Sequence, residues 1–423
     1  MSEKLLYRFS ILLTLLTLIC MGANDYIHPL PTHDGVWTLT PVFSALQGNW
    51  SEDIYTGYRL PFLHYYLKIP YYWVVGNSIY GPFILNILIN ILYVYVIVKF
   101  AKKYKLSSVQ TWLIACLFIS CNVFSSLRPE HLINLLLLLY YLNHHRLTSI
   151  WQNLFICIVF IAVHPAAGLF AFLFNIINTN FSLKNILIQM GTLLLIFVAL
   201  FFIFPQFSET MLSSLKLRYE GNLLLPFYSF CKACFFINIY YIYRLIFSSN
   251  TKRDLVQWLA FIMLAALLGK DYYYDYVVVF VLYKCIINPP GTTNFYYFQW
   301  AFAFASFCAF PLHHLYFEIS NYRYHSNLKE VLYKIGEVVS QNDKMYQVPM
   351  EFALPAMGNK NVILEYHNLE TNTYRPLIKN IHASTLVTEK SQEHQKVTLY
   401  TKQWIPSDPT RKYCLFEVLS LPQ

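Results

Sequence analysis

THDGVWTLTPVFSALQGNW, residues 32–50, follows the first apolar segment of the chain. The stretch places an acidic residue, Asp34, just outside that segment and continues as an amphipathic run of aromatic and aliphatic residues that ends at Trp50. Aromatic side chains concentrate where membrane and water meet, so this run predicts a segment lying along a membrane interface. A carboxylate in such a segment sits at the boundary between lipid and water.

The composition of the whole chain is typical of a membrane protein. Of its 423 residues, 57% are hydrophobic and only 13% are charged, whereas soluble domains average about 25% charged residues. Apolar runs recur from the N-terminus to about Pro311, and about 20 such residues cross a hydrocarbon core of roughly 30 Å. The net charge of +9 needs no nucleic acid, since cytoplasmic loops of membrane proteins collect Lys and Arg. Nucleic-acid binding is therefore not expected.

The apolar runs predict a polytopic α-helical membrane protein with about 11 spans. By the positive-inside rule, four lysines mark the cytoplasmic side: Lys99, Lys102, Lys103 and Lys105. The N-terminus is then cytoplasmic, and the first loop, residues 22–82, is external. A cleavable signal peptide ending near Ala23 is the alternative for the first span. The short apolar segments on either side of His164 form either a tight hairpin or a partly re-entrant segment.

The chain is expected to divide into a transmembrane domain, residues 1–314, and a small extracytoplasmic α/β domain, residues 315–423. The external loop of residues 22–82 should carry two amphipathic helices that lie along the interface. In the second domain, apolar spacing predicts one amphipathic helix, and short apolar runs predict strands. The predicted interface helices cover residues 37–46 and 61–75, the predicted amphipathic helix covers 328–339, and the predicted strands cover 362–366, 383–387, 397–401 and 413–418.

Short motifs follow one another along the first part of the chain. They are Asp34-Gly35, ALQGNW at residues 45–50, Arg59-Leu60-Pro61, Tyr65-Tyr66, Gly76-Asn77-Ser78 and Arg128-Pro129-Glu130. This order resembles the GT-C class of integral membrane glycosyltransferases, which includes the protein O-mannosyltransferases and the aminoarabinose transferases. The resemblance covers about the first 180 residues, and the remainder only by topology. It implies a GT-C-like fold and a sugar donor linked to a lipid phosphate.

Asp34 is the leading candidate for a catalytic base. An acceptor hydroxyl is a poor nucleophile, and a carboxylate within hydrogen-bond reach can remove its proton as it attacks the sugar. His33 would orient the acceptor or tune that carboxylate, and Asp25 is a further candidate in the same loop. The alternative is that Asp34 is only the N-cap of a helix that begins near Gly35, because Asp is a favoured N-cap residue.

The phosphate of such a donor needs positive charge beside it. Arg128 offers a planar fork that matches phosphate oxygens, and Glu130 would hold that fork in place. Further candidates for binding the donor or the acceptor lie on the same predicted outer side: Asp53, Arg59, His131, His164, Lys270 and Asp271.

Each of these residues also has a purely structural interpretation. Arg128 and Glu130 could form only an interfacial ion pair. His164 could satisfy a backbone carbonyl that Pro165 leaves without its helical partner. Lys270 could face lipid headgroups.

The sequence as a whole predicts an inverting glycosyltransferase of the bacterial inner membrane. Its partners would be a polyprenyl-phosphate sugar donor, membrane lipids and an extracytoplasmic acceptor, either a glycan, a lipid or a protein. No cofactor and no metal ligands are predicted. No paired-acid motif opens the first loop, which leaves a requirement for a divalent metal open. The alternative is a multi-pass transporter or flippase of a lipid-linked or polar solute, since ionisable residues near spans also line substrate pathways.

Overall fold

Most of the described chain is helical, with a small sheet towards the C-terminus. The computed structural model describes residues 3–27, 36, 38–50, 63–121, 129–147, 149–178, 183–203, 235–246, 251–268, 273–288, 293–320, 329, 333, 346–349, 353–359, 362–368, 373–376, 385–389 and 413–417.

The helices coincide with the apolar runs of the sequence. In chain order they are α1 (Glu3–Ile27), α2 (Thr40–Leu46), α3 (Leu63–Tyr66), α4 (Ile69–Val75), α5 (Gly81–Lys103), α6 (Ser108–Cys121), α7 (Pro129–Asn143), α8 (Ile150–Val163), α9 (Pro165–Asn178), α10 (Leu183–Ile203), α11 (Phe235–Ile246), α12 (Thr251–Leu268), α13 (Tyr274–Ile287), α14 (Thr293–Phe307) and α15 (His313–Ser320). Each predicted span contains one of them. The predicted spans cover residues 9–21, 83–98, 109–127, 132–142, 151–163, 168–177, 186–204, 224–247, 255–269, 276–287 and 295–314. Among the described residues α1 and α5, with 25 and 23 residues, are long and apolar enough to cross a membrane, and several others are shorter apolar helices.

Large apolar side chains are exposed on the outside of several of these helices, and others fill the core between the helices. Examples that are exposed are Leu12 and Ile19 on α1, Ile91 on α5, and Leu195 and Phe202 on α10. The hydroxyl side chains of Ser10, Thr14 and Thr17 on α1 are buried instead, and the Thr14 hydroxyl donates a hydrogen bond to the carbonyl oxygen of Trp112 on α6 at 2.9 Å. The apolar surface of the helices therefore faces outward, which water alone would not favour.

The described residues of the first loop include the helices α2, α3 and α4, but one prediction for this loop was wrong. The helix expected over residues 61–75 is two helices, α3 and α4, which are separated by Leu67 and Lys68. Pro70 explains the break, because a proline ring clashes with the carbonyl group four residues earlier and has no N–H to donate. That carbonyl belongs to Tyr66, where α3 ends. The break leaves Lys68 as the N-cap of α4.

Helices α8 and α9 form the tight hairpin that was one of the two expectations for this segment. His164 alone separates them, in an extended backbone conformation with φ −162° and ψ 126°. Gly168 makes the close approach possible, since a Cβ atom at this position would lie 2.2 Å from Ile161 Cγ1 and 2.8 Å from the Ile161 backbone nitrogen. The hairpin holds the His164 ring at one end of the bundle.

A buried ionic group joins three helices at the other end of the bundle. Asp254 of α12 contacts Lys284 of α13 at 3.0 Å and Arg244 of α11 at 3.5 Å. The Arg244 guanidinium also donates to the carbonyl oxygen of Asn288 at 2.9 Å. Because removing one member would leave an uncompensated charge in the core, these contacts constrain how the three helices pack.

The described C-terminal strands form one five-stranded sheet. They are β1 (Tyr346–Pro349), β2 (Val362–Asn368), β3 (Thr373–Pro376), β4 (Thr385–Glu389) and β5 (Tyr413–Glu417), in the spatial order β3-β2-β1-β4-β5. The central strand β1 runs parallel to β2 and β4, and the two edge pairs are antiparallel.

Three of the predicted strands correspond to β2, β4 and β5, whereas β1 and β3 were not predicted. The strand expected at residues 397–401 lies outside the described residues. So does the helix expected at 328–339, apart from Lys329 and Tyr333, which are helical.

The C-terminal part of the chain contacts the first loop directly. The side-chain amide of Asn77 donates hydrogen bonds to the carbonyl oxygens of Pro355 and Met357, each at 2.7 Å. The Lys329 ammonium lies 4.1 Å from the ring centroid of Tyr26, at the end of α1. The loop and the residues after α15 therefore lie at the same end of the bundle.

The close contact at Gly168 can be tested by substitution. Gly168→Ala should lower the thermal unfolding midpoint of the purified protein, because overpacking of a core costs about 1–3 kcal/mol. Gly191→Ala on α10 is the matched control, since a Cβ there meets nothing within 4 Å and Ala is favoured over Gly in a helix. Equal midpoints for the two variants would contradict the contact. Trimming Ile161 to Ala should not rescue Gly168→Ala, because backbone atoms of Ile161 also obstruct the new methyl group.

Candidate functional site

Lys68 is the centre of a buried polar cluster at the end of the bundle that carries the first loop. Its side chain is almost fully buried, with only 2% of the residue exposed. The break between α3 and α4 sets its position, and its ammonium donates a hydrogen bond to the Thr38 hydroxyl at 3.2 Å. Its charge interacts electrostatically with the side chains of His64, Glu130 and His131. We call Lys68, His64, Glu130, His131 and His164 the Lys68 cluster.

Glu130 and His131 enter the cluster from the first turn of α7. Both are buried. The His131 ring stacks on the Tyr93 ring of α5, with centroids 5.7 Å apart and planes inclined by 16°. The Tyr93 hydroxyl donates to the backbone carbonyl oxygen of His131 at 3.0 Å. These contacts fix the start of α7 against α5 and hold the Glu130 carboxyl group beside Lys68.

His64 and His164 come together from two distant parts of the sequence. Their ring centroids are 5.6 Å apart, and His64 Nδ1 lies 2.7 Å from the carbonyl oxygen of Val163. A carbonyl oxygen only accepts hydrogen bonds, so Nδ1 carries the proton of a neutral His64 ring and the lone pair lies on Nε2. The His164 ring is also 6.1 Å from the Tyr273 ring, just before α13.

Burial shifts the pKa values of the two first-loop members of the cluster. It lowers the pKa of Lys68 from 10.5 to about 7, although the charge of Glu130 acts in the opposite direction. Burial, followed by the His164 charge, holds the pKa of His64 well below its ordinary value. The amine of Lys68 thus gains or loses its proton near neutral pH, while His64 stays neutral. Such a pair can bind an anion and take part in proton transfer.

A row of polar side chains connects the end of α1 to the same region. Asn86 of α5 donates a hydrogen bond to the half-buried carboxylate of Asp25, and Asn90 donates to the Asn86 side chain at 3.2 Å. Asn86, Asn90 and Tyr93 lie on one face of α5, at helical spacing. The buried Asp275 of α13 is also within electrostatic reach of the Tyr93 hydroxyl.

Four of the residues predicted from the sequence can be placed. Glu130, His131 and His164 lie in the Lys68 cluster, and Asp25 lies at the end of the polar row, bonded to Asn86 rather than simply solvated. The other predicted site residues are outside the described residues: His33, Asp34, Asp53, Arg59, Arg128, Lys270 and Asp271. Their roles stay predictions.

Sequence reasoning missed Lys68 and His64, although a signal was present. Both lie in the apolar and aromatic run LPFLHYYLKIPYYW, residues 60–73. A single lysine in such a run, followed two residues later by Pro70, indicates a break in an interface helix with a charge at the break.

Within the described residues, no three His, Cys, Asp or Glu side chains are arranged to hold a metal ion.

Comparison with known proteins gives no relative for this chain. No protein-family model, no curated protein and no solved structure matches it. The resemblance of its short motifs to the GT-C class therefore stays a prediction.

The shifted pKa of Lys68 predicts how stability depends on pH. Between about pH 7 and 10.5 the unfolded chain keeps the proton on Lys68 and the folded chain releases it. The unfolded state then binds more protons, so stability rises with pH through this window. Lys68→Met should remove this contribution, which would be measured as a smaller rise in the thermal unfolding midpoint between pH 7 and 10 than the wild type shows.

Two variants sharpen the pH measurement. Lys252→Met, which changes an exposed lysine at the start of α12, should leave the wild-type pH dependence unchanged. Glu130→Gln removes the charge that raises the pKa of Lys68, so the rise in stability should begin below pH 7. Parallel curves for wild type and Lys68→Met would show that the amine is not desolvated.

Proposed function

We propose that the chain is a multi-pass membrane glycosyltransferase of the GT-C type, which transfers a sugar from a polyprenyl-phosphate donor to an extracytoplasmic acceptor. The observation that carries this proposal is the Lys68 cluster. Side chains from the first loop, from the start of α7 and from the turn between α8 and α9 meet at one end of the bundle. Three of them, Glu130, His131 and His164, are residues that sequence reasoning had already assigned to this chemistry.

The reaction needs a cation where negative charge develops. The bond between the sugar and the phosphate oxygen breaks, the acceptor oxygen forms the new bond to the sugar, and polyprenyl phosphate leaves with an added negative charge. A preorganised cation in a dry site stabilises that charge more than water does. In this proposal Lys68 supplies the cation together with Arg128 and Lys270, and Asp34 takes the proton from the acceptor hydroxyl.

The surface of the helices supports membrane embedding. Exposed leucine, isoleucine and phenylalanine side chains on α1, α5 and α10 suit contact with lipid tails. The lysines at the end of α5, which lie opposite the Lys68 cluster, suit a cytoplasmic location. Lys103 of this group lies 2.9 Å from His145 of the loop after α7, so these two basic loops belong to one end. In the proposed orientation the Lys68 cluster faces the outside.

A transporter is the second candidate, and one observation favours it. A transporter places acidic residues inside the helical bundle, where they bind or relay charge. Asp254 and Asp275 are both buried, on α12 and α13. However, Asp254 is held by Arg244 and Lys284, as a structural ion pair would be. An assay that follows the chemical bond, rather than movement of a solute, separates the two functions.

The role of Lys68 leads to a prediction about activity. Cells lacking the protein should accumulate a polyprenyl-phosphate sugar, which identifies the donor for an assay with the purified enzyme. In that assay Lys68→Met should reduce the rate of sugar transfer by about 100-fold, because the loss of one preorganised electrostatic group costs roughly that much. Lys252→Met is the matched control and should be as active as the wild type. Full activity of Lys68→Met, or movement of the donor across vesicles without transfer, would exclude the proposed chemistry.

The predicted base can be tested separately. Asp34→Asn keeps the size of the side chain and its ability to cap a helix, but it cannot accept the acceptor proton as a carboxylate does. We expect about 100-fold to 10,000-fold slower transfer, the usual contribution of a general base. Cells that carry Asp34→Asn at a normal protein level should show the same accumulated glycolipid as cells lacking the protein. An unchanged glycan product would instead indicate a non-catalytic subunit of an assembly.

A further inference from the structure

A cavity of about 650 Å³ lies between the first loop and the C-terminal part of the chain. Its volume falls within the range of small-molecule sites, about 300–1,000 Å³. One wall consists of α2, α4 and the turn that follows α4. The other consists of Tyr333 and the segment of residues 353–359. The two walls are contributed by opposite ends of the sequence, so the cavity exists only when both are in place.

Asn77 holds the two walls together. Its side-chain amide donates to two carbonyl oxygens, those of Pro355 and Met357. Gly76 and Gly358 make the two turns that meet here, with φ values of 65° and 100°. Such angles are open to glycine and costly for other residues. The shape of the cavity therefore depends on fixed backbone turns rather than on long flexible side chains.

The lining of the cavity is aromatic and polar but uncharged. Phe43, Tyr72, Trp73 and Tyr333 supply rings, and several amide or hydroxyl side chains supply hydrogen-bonding groups. Among the described lining residues none is Asp, Glu, Lys, Arg or His. An anion such as a phosphate would find no counter-ion among the described residues that line the cavity. The lining suits a neutral ligand that has apolar faces and many hydroxyl groups.

The rings of Trp73 and Tyr72 differ in their exposure, and this difference suits such a ligand. Trp73 has 78% of its surface exposed, so one face of its indole is open to a ligand. Tyr72 is fully buried and packs on Phe43 with ring centroids 5.5 Å apart. Its hydroxyl has no hydrogen-bond partner among the described residues. Because no part of Tyr72 is open to solvent, this ring forms a fixed wall behind the open Trp73 ring.

We propose that this cavity binds a neutral carbohydrate. A sugar ring presents an apolar face of C–H groups to an aromatic ring and a rim of hydroxyls to amide and hydroxyl side chains, which matches this lining. On the proposed function, the bound carbohydrate is the glycan part of the acceptor, so the acceptor class narrows from glycan, lipid or protein to glycan. The donor phosphate and the acceptor sugar then occupy chemically different places.

The position of the cavity relative to the Lys68 cluster supports this role. Lys68 caps α4 at its start, and Tyr72 lies one turn later, with its backbone N–H bonded to the Lys68 carbonyl oxygen at 3.0 Å. A helix rises 1.5 Å per residue, so the two residues are about 6 Å apart along the axis. The cavity and the Lys68 cluster therefore adjoin neighbouring turns of the same helix.

Binding of neutral trisaccharides to the full chain tests the proposal. Isothermal titration calorimetry would use the wild-type protein in lipid nanodiscs, because detergents with sugar headgroups would compete for the cavity. Maltotriose, chitotriose and mannotriose would serve as probes. At least one should bind saturably, and Trp73→Ala should weaken that binding by tenfold or more. Tyr72→Phe removes only a hydroxyl that is closed off from the cavity, so this variant should bind the trisaccharide as the wild type does.

Val74→Ala is the matched control for Trp73→Ala. Val74 is the next residue on α4 and is equally exposed, at 78%, but it does not line the cavity. It should bind the trisaccharide as the wild type does. The proposal is overturned if no trisaccharide binds the wild type, if Trp73→Ala binds as tightly as Val74→Ala, or if an unglycosylated Ser/Thr-rich peptide binds in place of the sugars.

A separate measurement keeps this inference distinct from the proposed function. Lys68→Met should transfer sugar about 100-fold more slowly but retain trisaccharide binding, since Lys68 does not line the cavity. If the wild type binds a trisaccharide but has no transfer activity, the proposed enzymatic function is wrong and the carbohydrate site is retained. If no trisaccharide binds and Trp73→Ala transfers sugar as fast as the wild type, the carbohydrate site is wrong and the proposed enzymatic function is retained.

Discussion

The burial of one ammonium group is the constraint on which this end of the molecule depends. An isolated charge in a dry interior is strongly unfavourable, so a buried lysine persists only with compensating groups or by losing its proton. Lys68 has compensating groups, since the Thr38 hydroxyl accepts a hydrogen bond from it and Glu130 provides opposite charge. Burial also lowers its pKa to about 7, so that it can lose its proton near neutral pH. The first loop, α7 and the α8–α9 hairpin must all be present to provide that environment. The packing of these elements therefore determines the chemistry of Lys68.

Much of the helical organisation could be predicted because hydrophobicity is local in sequence. A run of apolar residues can be recognised without knowing its neighbours, and each predicted span contains a helix. The break at Pro70 was equally local, since it follows from the missing N–H and the clash with Tyr66, and it was missed because amphipathic spacing was given more weight. The strands β1 and β3 are only four residues long. Runs that short carry little periodicity, and their pairing depends on distant partners.

The candidate site was predictable only in part, for a physical reason. Glu130, His131 and His164 stand out because they interrupt apolar runs at helix ends. The sequence does not show which distant residues come together in the fold. His64 and His164 lie 100 positions apart, and their contact depends on the Gly168 contact that closes the hairpin. For Lys68 the sequence also leaves the direction of the side chain open, because a lysine near a membrane interface usually faces headgroups. Only the fold shows that this one points inward.

The two hydrogen bonds of Asn77 have a consequence for biosynthesis. The loop that contains this residue leaves the ribosome 278 residues ahead of the first carbonyl group it will bind, that of Pro355. At about 5–20 residues per second, synthesis of the intervening chain takes roughly 15–55 s. Throughout this interval α2 and α4 are present without the segment that later covers them, and the exposed Trp73 stays accessible to the membrane surface or to chaperones. Completion of the cavity is thus one of the last events in the maturation of the chain.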